Sequence, residues 1–437
     1  MRLMATDVAM ATGGQLVGQN AHLDGVSFDS RSITPGQLFV PIVAERDGHE
    51  FVSAALLAGA GAYLTNRQPV GRTAIVVPDT LQALMQLGAW ARQKLDAQLT
   101  SRVVGVTGSV GKTTTKDFIA AALGSQLRVS ANPFSFNNDQ GLPTAILNSP
   151  DDVEALIVEM GMRGAGEIAR LCAIAKPKIG VVTCVAEAHT QFVGSLDQVA
   201  SAKAELVQSL SENGFAILNA DDQRVAAMRG KTNANVVTYG HSLDADVRIE
   251  TCLLDSHARA TVQIRSPWGG CELKLDVPGR HMALNAAAAI AVAGVIGVDI
   301  DAAARAIAGA AVSPMRMQLR ELPGGGTLLD DTYNANPFSM RAALDTLAAL
   351  RCDHRVAVVG LMAELADAEE HHARIAEYAR ELNIELIAVG TDLYGAAPVA
   401  SEVAADILRS LGANDAALVK ASRVAHLERV VAVALGA

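Results

Sequence analysis

The segment TGSVGKTT at residues 107–114 combines glycines, a lysine and threonines, which are residue types that bind phosphate. Its spacing departs from the common pattern G-x-x-x-x-G-K-[ST], because Val106 stands five residues before Gly111. A glycine turn can point backbone N–H groups at an anion, Lys112 can neutralise β- and γ-phosphate charge, and Thr113 can ligate Mg²⁺. The residues assigned to phosphate binding are Gly108, Ser109, Gly111, Lys112, Thr113 and Thr114.

The residues on either side of this segment predict a buried strand and a helix. Residues 102–107 are rich in valine and alternate little, which is typical of a strand buried on both faces. Phe118, Ile119 and Ala122 then fall on one stripe of a helix. The alternative is an ordinary strand–turn–helix corner with a solvated lysine. The sequence G-K-T-T between a strand and a helix favours the phosphate site.

Further candidates follow the next strands, where the ligands of open α/β sheets are expected. Glu159 ends the strand ALIVEMG and could hold Mg²⁺ opposite Thr113. His189 follows the strand KIGVVTCV and suits a second divalent ion, although a surface histidine is the simpler reading of this residue alone. Lys203 lies in the following helix. A buried lysine loses its proton readily, and a neutral amine can react with CO₂ to form a carbamate that offers oxygen ligands.

The segment LLDDTYNANPFSM indicates a site at a strand end near the C-terminus. Asp331 ends the strand, and Asn334 and Asn336 shape a turn into the next helix. Arg316 precedes this strand and could reach a nucleotide phosphate. The alternatives are an Asx-rich helix start and a surface arginine.

The alternation of elements predicts an α/β protein of three domains. Residues 1–97 have their own strands and helices. Residues 98–312 predict a mostly parallel sheet with helices on both faces and a small antiparallel patch at 244–278. Residues 313–437 alternate again, which predicts a doubly wound, Rossmann-like sheet.

Composition restricts the partners of the chain. The net charge of −10 argues against nucleic acid. No uncharged run reaches the length of a membrane span, so no membrane insertion is expected. The N-terminus lacks the pattern of a signal peptide, and five scattered cysteines without a C-x-x-C pair fit reduced thiols in the cytoplasm. A monomer is expected.

Together these segments resemble the Mur ligase family, the ATP-dependent amide-forming enzymes of peptidoglycan precursor synthesis. TGSVGKTT is similar to the phosphate loop of that family, including its offset, and FSFNNDQGLP, SAKAEL and GRHMALNAAAA are similar to other family blocks. FDSRSITPGQLFV and DGHEFVSAALLAGA resemble the first domain of members that add the third residue or the terminal dipeptide. DDTYNANPFSM resembles the members that add D-alanyl-D-alanine.

The resemblance implies an enzyme that uses ATP and Mg²⁺ to join D-alanyl-D-alanine to UDP-N-acetylmuramoyl-tripeptide through an acyl phosphate. In the same terms, residues 1–97 hold the UDP end of the substrate, 98–312 hold ATP, and 313–437 contact ATP and the dipeptide. Two alternatives stay open: a family member that adds the third residue to the dipeptide precursor, and a non-catalytic nucleotide-binding relative.

The resemblance also implies roles for single residues. Catalysis falls to Lys112, His189 and Lys203, with Lys203 as an N6-carboxylated (carbamylated) lysine. The metal ligands are Thr113, Glu159, His189 and Lys203. The nucleotide is contacted, beyond the phosphate loop, by Asn138, Asn285, Arg316 and Asp331. The substrate residues are Ser30, Arg31, Asn137, Asn334 and Asn336.

Overall fold

The fold is that of a computed structural model, which describes residues 1–132, 136–187, 191 and 194–436. The elements of its N-terminal region are strands β1 (Arg2–Met4), β2 (Gln15–Val17), β3 (His22–Asp24), β4 (Val26–Ser27), β5 (Leu38–Phe39), β6 (Ala62–Thr65) and β7 (Ala74–Val76), and helices α1 (Ala5–Thr12), α2 (Val52–Leu57), α3 (Thr80–Lys94) and α4 (Asp96–Leu99). A sheet runs in the order β2-β7-β6-β5-β4, and β1 pairs separately with β3. Only the β2–β7 pair of that sheet is antiparallel.

The central region contains the largest sheet of the described residues. Its elements are β8 (Val103–Thr107), α5 (Lys112–Gly124), β9 (Val129–Ala131), α6 (Gly141–Leu147), β10 (Ala155–Glu159), α7 (Glu167–Ala175), β11 (Ile179–Val182), α8 (Leu196–Gln208), β12 (Phe215–Asn219), α9 (Gln223–Ala226), β13 (Asn235–Gly240), β14 (Val247–Leu254), β15 (Arg259–Ser266), β16 (Gly269–Pro278), α10 (Met282–Ile296) and α11 (Ile300–Ala308). The strand order is β16-β15-β14-β13-β12-β11-β8-β10-β9. The strands are parallel as far as β14, and β15 and β16 add antiparallel hairpins at one edge.

The C-terminal region forms its own sheet. Its elements are β17 (Gln318–Glu321), β18 (Thr327–Asp331), α12 (Pro337–Ala349), β19 (His354–Val359), α13 (Ala368–Glu381), β20 (Glu385–Ala388), α14 (Ser401–Ser410), β21 (Asp415–Lys420) and α15 (Glu428–Leu435). The order is β17-β18-β21-β19-β20, with β17 antiparallel to β18 and the other pairs parallel. The α/β fold class predicted from the sequence is therefore confirmed, including the mostly parallel central sheet, its antiparallel patch and the C-terminal sheet.

The placement of the phosphate-loop helix follows from burial. Strands β8, β10 and β11 are buried along their whole length, as the continuous apolar runs predict for central parallel strands. Helix α5 turns Phe118 and Ile119 into the core beneath the sheet, where they join the alanines of α10 in one apolar cluster. Because alanine is small, α10 can lie close against α5, which brings the N-termini of the two helices together.

The N-terminal and central regions share an apolar core. Polar contacts reinforce it: the side-chain amide of Asn148 accepts from Val26 N at 2.8 Å and donates to Val26 O at 2.9 Å. Arg92, buried on α3, donates to the carbonyl of Ala175 at 2.8 Å. These contacts fix strand β4 and helix α3 against helices α6 and α7 of the central region.

The C-terminal region is joined to the central region by polar contacts around a cleft. Ser313 N–H donates to Asp117 Oδ2 at 2.8 Å, just before the C-terminal sheet begins. Arg163 pairs with Glu364 at 3.4 Å across the cleft. Among the described residues, no helix is both long enough and apolar enough to cross a membrane.

The contact between α3 and α6 depends on a glycine, and replacing it tests the shared core. A Cβ on Gly88 would lie 2.5 Å from Pro143 Cβ and 2.9 Å from Pro143 Cα. Gly88→Leu is therefore expected to lower the free energy of unfolding by about 1–3 kcal/mol, as overpacking does. Gly124→Leu is the matched control, since Gly124 is exposed and nothing lies within 4 Å of a Cβ placed there. Urea denaturation measures both, and equal midpoints would contradict the packing described.

Candidate active site

The phosphate loop closes tightly after β8, and its glycines are required by two close approaches. Gly108 has φ 148°, and a Cβ there would lie 1.8 Å from Thr183 Oγ1. Gly111 has φ 83°, and its Cβ would lie 2.7 Å from Asn285 Oδ1. Both conformations favour glycine. The loop thus leaves no room for side chains at these two positions. Its backbone can therefore form the cradle that an anion needs.

Ser109 and Lys112 fix the two ends of the loop. Ser109 Oγ donates to Ala186 O and accepts from Ala186 N, both at 2.9 Å, which ties the loop to the segment after β11. Lys112 Nζ lies over the loop and donates to Gly108 O at 2.8 Å. Burial lowers the pKa of Lys112, and the charge of Arg316 lowers it further. The carboxylate of Glu159 acts in the opposite direction and raises it. The amine of Lys112 thus lies at the N-terminus of α5, where a phosphate would also meet the helix dipole.

Three oxygen- and nitrogen-bearing side chains meet beside the loop. Thr113 Oγ1 donates to Glu159 Oε2 at 2.7 Å, and Asn137 Nδ2 donates to Glu159 Oε1 at 2.7 Å. Glu159 is 1% exposed and Thr113 is 2% exposed. A carboxylate and a hydroxyl at a phosphate loop are hard oxygen donors, the set that Mg²⁺ takes together with substrate phosphates. These residues therefore fit Mg²⁺.

Lys203 lies on α8, buried to 2% exposure. Its pKa is lowered to about 7, first by burial and then by the charge of Lys112, while Cys184 opposes the shift. Within the described residues, no hydrogen-bond partner of its amine is seen. A large neutral fraction near pH 7 is the state in which an amine reacts with CO₂. His189, the other predicted metal ligand on this side, lies outside the residues that the structure describes.

The C-terminal region supplies a second set of charges. Lys420, at the end of β21, donates to Asp331 Oδ2 and, at 2.8 Å, to the carbonyl of Asn334. Asp331 Oδ1 also accepts from the backbone of Met317 at 3.2 Å. The guanidinium of Arg316 lies over the ring of Tyr333, 4.3 Å from its centre. This cluster stands at the carboxyl ends of the parallel strands β18 and β21.

The remaining asparagines have local structural roles as well as a place near the site. Asn138 Oδ1 accepts from Gly141 N at 2.9 Å and so helps to start α6. Asn336 Oδ1 accepts from Ser339 N at 2.8 Å and caps α12. Asn334 Oδ1 accepts from Ala335 N at 2.9 Å. Asn285 Oδ1 accepts from Thr115 Oγ1 at 3.2 Å, which connects α10 to the phosphate-loop helix.

One cavity of about 670 Å³ brings most of these residues together. It lies between the central and C-terminal regions and opens on the phosphate loop. The sequence-predicted residues that line it are Ser109, Gly111, Lys112, Thr113, Thr114, Asn137, Asn138, Glu159, Asn285, Arg316, Asp331, Asn334 and Asn336. A single ligand in the cavity would therefore contact both regions.

Other predicted residues do not line this cavity. Gly108 and Lys203 lie near it: Gly108 O accepts from Lys112 Nζ, and the charge of Lys112 lowers the pKa of Lys203. Ser30 and Arg31 belong to the N-terminal region; Arg31 is exposed and pairs with Asp29 at 2.7 Å, which lowers the pKa of that carboxyl. They are therefore not brought to the phosphate loop.

Lys420 lines the cavity as well, although it is not among the residues predicted from the sequence. Its signal is present in the sequence, because a lysine directly follows the apolar run AALV. A charge at the carboxyl end of a buried parallel strand lies where ligands of such sheets bind.

Family models match two parts of the chain. The Mur ligase middle domain matches residues 106–293, and the Mur ligase, glutamate ligase domain matches residues 315–436. The chain belongs to the Mur ligase family, so the resemblance inferred from its motifs is confirmed.

Four of the similar proteins carry the name of the same ligase. The UDP-N-acetylmuramoyl-tripeptide–D-alanyl-D-alanine ligase of Mycobacterium tuberculosis is 41% identical over 397 residues, covering 84% of this chain and 77% of the relative. The ligase of the same name from Escherichia coli is 36% identical over 382 residues, covering 86% and 82%. MurF from Acinetobacter baumannii superposes with a TM-score of 0.89 at 28% identity, covering 100% of this chain and 99% of the other. MurF of Thermotoga maritima, solved in complex with ADP, gives a TM-score of 0.77 at 28% identity, covering 93% and 96%.

The lowered pKa of Lys203 predicts a pH-dependent loss of stability. The unfolded chain binds a proton below its pKa of 10.5, whereas the folded chain does so only below about 7. The folded state therefore loses stability as the pH falls from 10.5 to 7, and the loss is complete below 7. In CO₂-free buffer, Lys203→Met should raise the free energy of unfolding at pH 7 by about 1–3 kcal/mol, because it removes a buried polar group that burial separates from water.

Urea denaturation at several pH values measures this difference. The gain from Lys203→Met should shrink as the pH rises towards 10.5, the pKa of the unfolded chain. Lys231→Met, at an exposed lysine, is the control and should change little at any pH. A gain that is the same at every pH would contradict the assignment of a neutral lysine in the fold.

Proposed function

We propose that this chain joins D-alanyl-D-alanine to UDP-N-acetylmuramoyl-tripeptide with release of ADP and phosphate, in peptidoglycan precursor synthesis. The observation that carries the proposal is the single cavity in which the phosphate loop and Glu159 face Arg316, Asp331 and Lys420. Relatives with this activity in their names cover most of the chain, and one of the solved relatives holds ADP. The arrangement suits phosphoryl transfer, which needs positioned charges on both sides of a nucleotide.

In the first step, an oxygen of the tripeptide's terminal carboxylate attacks the γ-phosphorus of ATP, and the bond to the β-phosphate oxygen breaks. Lys112 and the backbone N–H groups of the loop would stabilise charge on the phosphate oxygens. Arg316, which lies near enough to Lys112 to affect its pKa, would add a second cation from the C-terminal region. Mg²⁺, held by Thr113 and Glu159, would supply further charge neutralisation when bound.

In the second step, the amine of the dipeptide attacks the carbonyl carbon of the acyl phosphate. The amine loses a proton, the C–O bond to phosphate breaks, and inorganic phosphate leaves with an oxygen that came from the carboxylate. An acyl phosphate hydrolyses in water, so the cavity must exclude solvent. The contacts between the central and C-terminal regions, such as Arg163 with Glu364, would hold the cavity closed during this step.

Several finer assignments belong to this proposal. Lys203, with its pKa lowered to about 7, would carry a carbamate and offer oxygen atoms to a second ion together with His189. Asn138, Asn285 and Asp331 would contact the nucleotide. The substrate would be contacted by Asn137, Asn334 and Asn336 in the cavity and, at its UDP end, by Ser30 and Arg31.

The division of labour among domains is also part of the proposal. Residues 1–97 would bind the UDP end, 98–312 ATP, and 313–437 ATP and the dipeptide. The enzyme would act as a monomer in the cytoplasm. The described cysteines are all free thiols, which fits a reducing compartment.

A panel of amines tests the proposed reaction. Purified protein with ATP, Mg²⁺ and UDP-N-acetylmuramoyl-tripeptide should release phosphate when D-alanyl-D-alanine is added. L-lysine and meso-diaminopimelate should not drive release. With UDP-N-acetylmuramoyl-dipeptide as the acid, faster release with a diamino acid would identify a ligase for the third residue instead. A protein that binds ATP but releases no phosphate with any pair would be a non-catalytic relative.

Lys112→Ala is expected to reduce phosphate release at least 100-fold while the protein remains folded. The reason is the loss of the cation nearest the γ-phosphate, since one such charged contact is worth several kcal/mol in the transition state. Circular dichroism and thermal denaturation check the fold. Lys231→Ala, at an exposed lysine outside the cavity, should keep full activity. Near-normal turnover by folded Lys112→Ala would overturn the assignment of the phosphate loop.

A further inference from the structure

Asn132 is the residue directly after strand β9, and it is 1% exposed. Its backbone N–H donates to Ile157 O at 3.4 Å, and three further hydrogen bonds connect it to other groups. Its side-chain Oδ1 accepts from Glu159 N–H at 2.9 Å, and its Nδ2 donates to Phe136 O at 2.7 Å. Its own carbonyl accepts from Lys116 Nζ at 2.8 Å. One buried side chain and its backbone therefore connect a strand end, a loop and a helix.

Each connected element carries one of the groups around the proposed metal position. Strand β10 ends at Glu159, whose two carboxylate oxygens accept from Thr113 and Asn137. Helix α5 carries Thr113 one turn before Lys116. Phe136 directly precedes Asn137 in the chain. The contacts of Asn132 thus connect the strand, the helix and the loop that carry these three side chains. Asn132 itself does not line the cavity.

The geometry explains why an asparagine suits this position. The last backbone hydrogen bond between β9 and β10 runs from Asn132 N–H to Ile157 O at 3.4 Å, and because Asn132 O accepts from Lys116, the N–H of Glu159 needs another acceptor. Oδ1 of Asn132 supplies that acceptor, and Nδ2 of the same amide supplies a donor for the carbonyl of Phe136 in the loop. An apolar residue of the same size would offer neither, while a carboxylate would offer no donor.

We propose that Asn132 is a positioning residue for the metal site, one that sets Glu159, Thr113 and Asn137 in the arrangement that receives the divalent ion of the nucleotide. The inference rests on the proposed function, because the ion is expected to arrive with ATP. Groups that orient metal ligands from behind typically change metal affinity by roughly 10–100-fold when they are removed. Asn132 acts through its neighbours and makes no contact with the cavity.

The test measures metal binding and does not depend on turnover. Mn²⁺ serves as the probe, and its free concentration is followed by electron paramagnetic resonance during titration of the protein with ADP present. Asn132→Ala removes both side-chain hydrogen bonds, and Asn132→Leu removes them while keeping the number of side-chain heavy atoms and their branching. Both variants should weaken Mn²⁺ binding about tenfold. In turnover assays, the Mg²⁺ concentration for half-maximal rate should rise by a similar factor.

Asn148→Ala is the matched control. Asn148 also uses its amide to bridge a backbone N–H and carbonyl, those of Val26, but it lies between the N-terminal and central regions and outside the cavity. It should lower the melting temperature without changing Mn²⁺ affinity. Conversely, Asn132 variants that lower the melting temperature but bind Mn²⁺ as tightly as the wild type would overturn the proposal. So would failure of both Asn132 variants to fold where Asn148→Ala folds.

The wild-type protein separates this inference from the proposed function. If wild type binds Mn²⁺ with ADP and the Asn132 variants bind it equally well, the positioning role is wrong and the function stands. If wild type binds no Mn²⁺ with ADP, the proposed nucleotide–metal site itself fails.

Discussion

The hydrogen bond from Thr113 to Glu159 connects the two strand ends on which the site is built. Strands β8 and β10 pair in parallel, with Val106 opposite Glu159, so the phosphate loop and the carboxylate leave the sheet side by side. The 2.7 Å contact between Thr113 Oγ1 and Glu159 Oε2 requires this register. A shift of one residue would turn Glu159 to the other face of the sheet. The burial of β8 and β10 on both faces therefore stabilises the register that places Thr113 beside Glu159.

The cleft gathers basic side chains, although the molecule as a whole is negatively charged. The net charge is −10, yet the substrates proposed here are anions. The cations Lys112, Arg316 and Lys420 line one cavity and meet there from two regions of the chain. Asp331, which pairs with Lys420, holds one of these charges in place. Local field, not global charge, is what a phosphate in the cavity would experience.

Much of the fold could be predicted because it depends on local patterns. The continuous apolar runs at β8 and β10 identify buried parallel strands, and the glycines and lysine between β8 and α5 identify the anion site. The position of Lys203 in a helix could also be predicted, and a lowered pKa was expected there if the lysine is buried, but the burial itself depends on distant segments. Residues whose roles depend on tertiary contacts are harder to predict from the sequence.

Lys420 and Asn132 show why. Lys420 meets Asp331 across 89 residues of sequence, through strands that are neighbours only in the folded sheet. Asn132 gives no sequence signal for its role, because an asparagine after a strand most often belongs to a turn. Its function depends on Glu159 N–H, 27 residues further on, which becomes its partner only when β9 pairs with β10.

The central claim is that this cleft activates a carboxylate by transferring phosphate to it. The most direct measurement uses UDP-N-acetylmuramoyl-tripeptide labelled with ¹⁸O in both oxygens of its terminal carboxylate, with unlabelled ATP, Mg²⁺ and D-alanyl-D-alanine in ordinary water. Mass spectrometry of the released phosphate should find one ¹⁸O atom for each amide bond formed, because the phosphate leaves with a carboxylate oxygen. Amide formation with unlabelled phosphate would contradict an acyl-phosphate route, and with it the account given of the site.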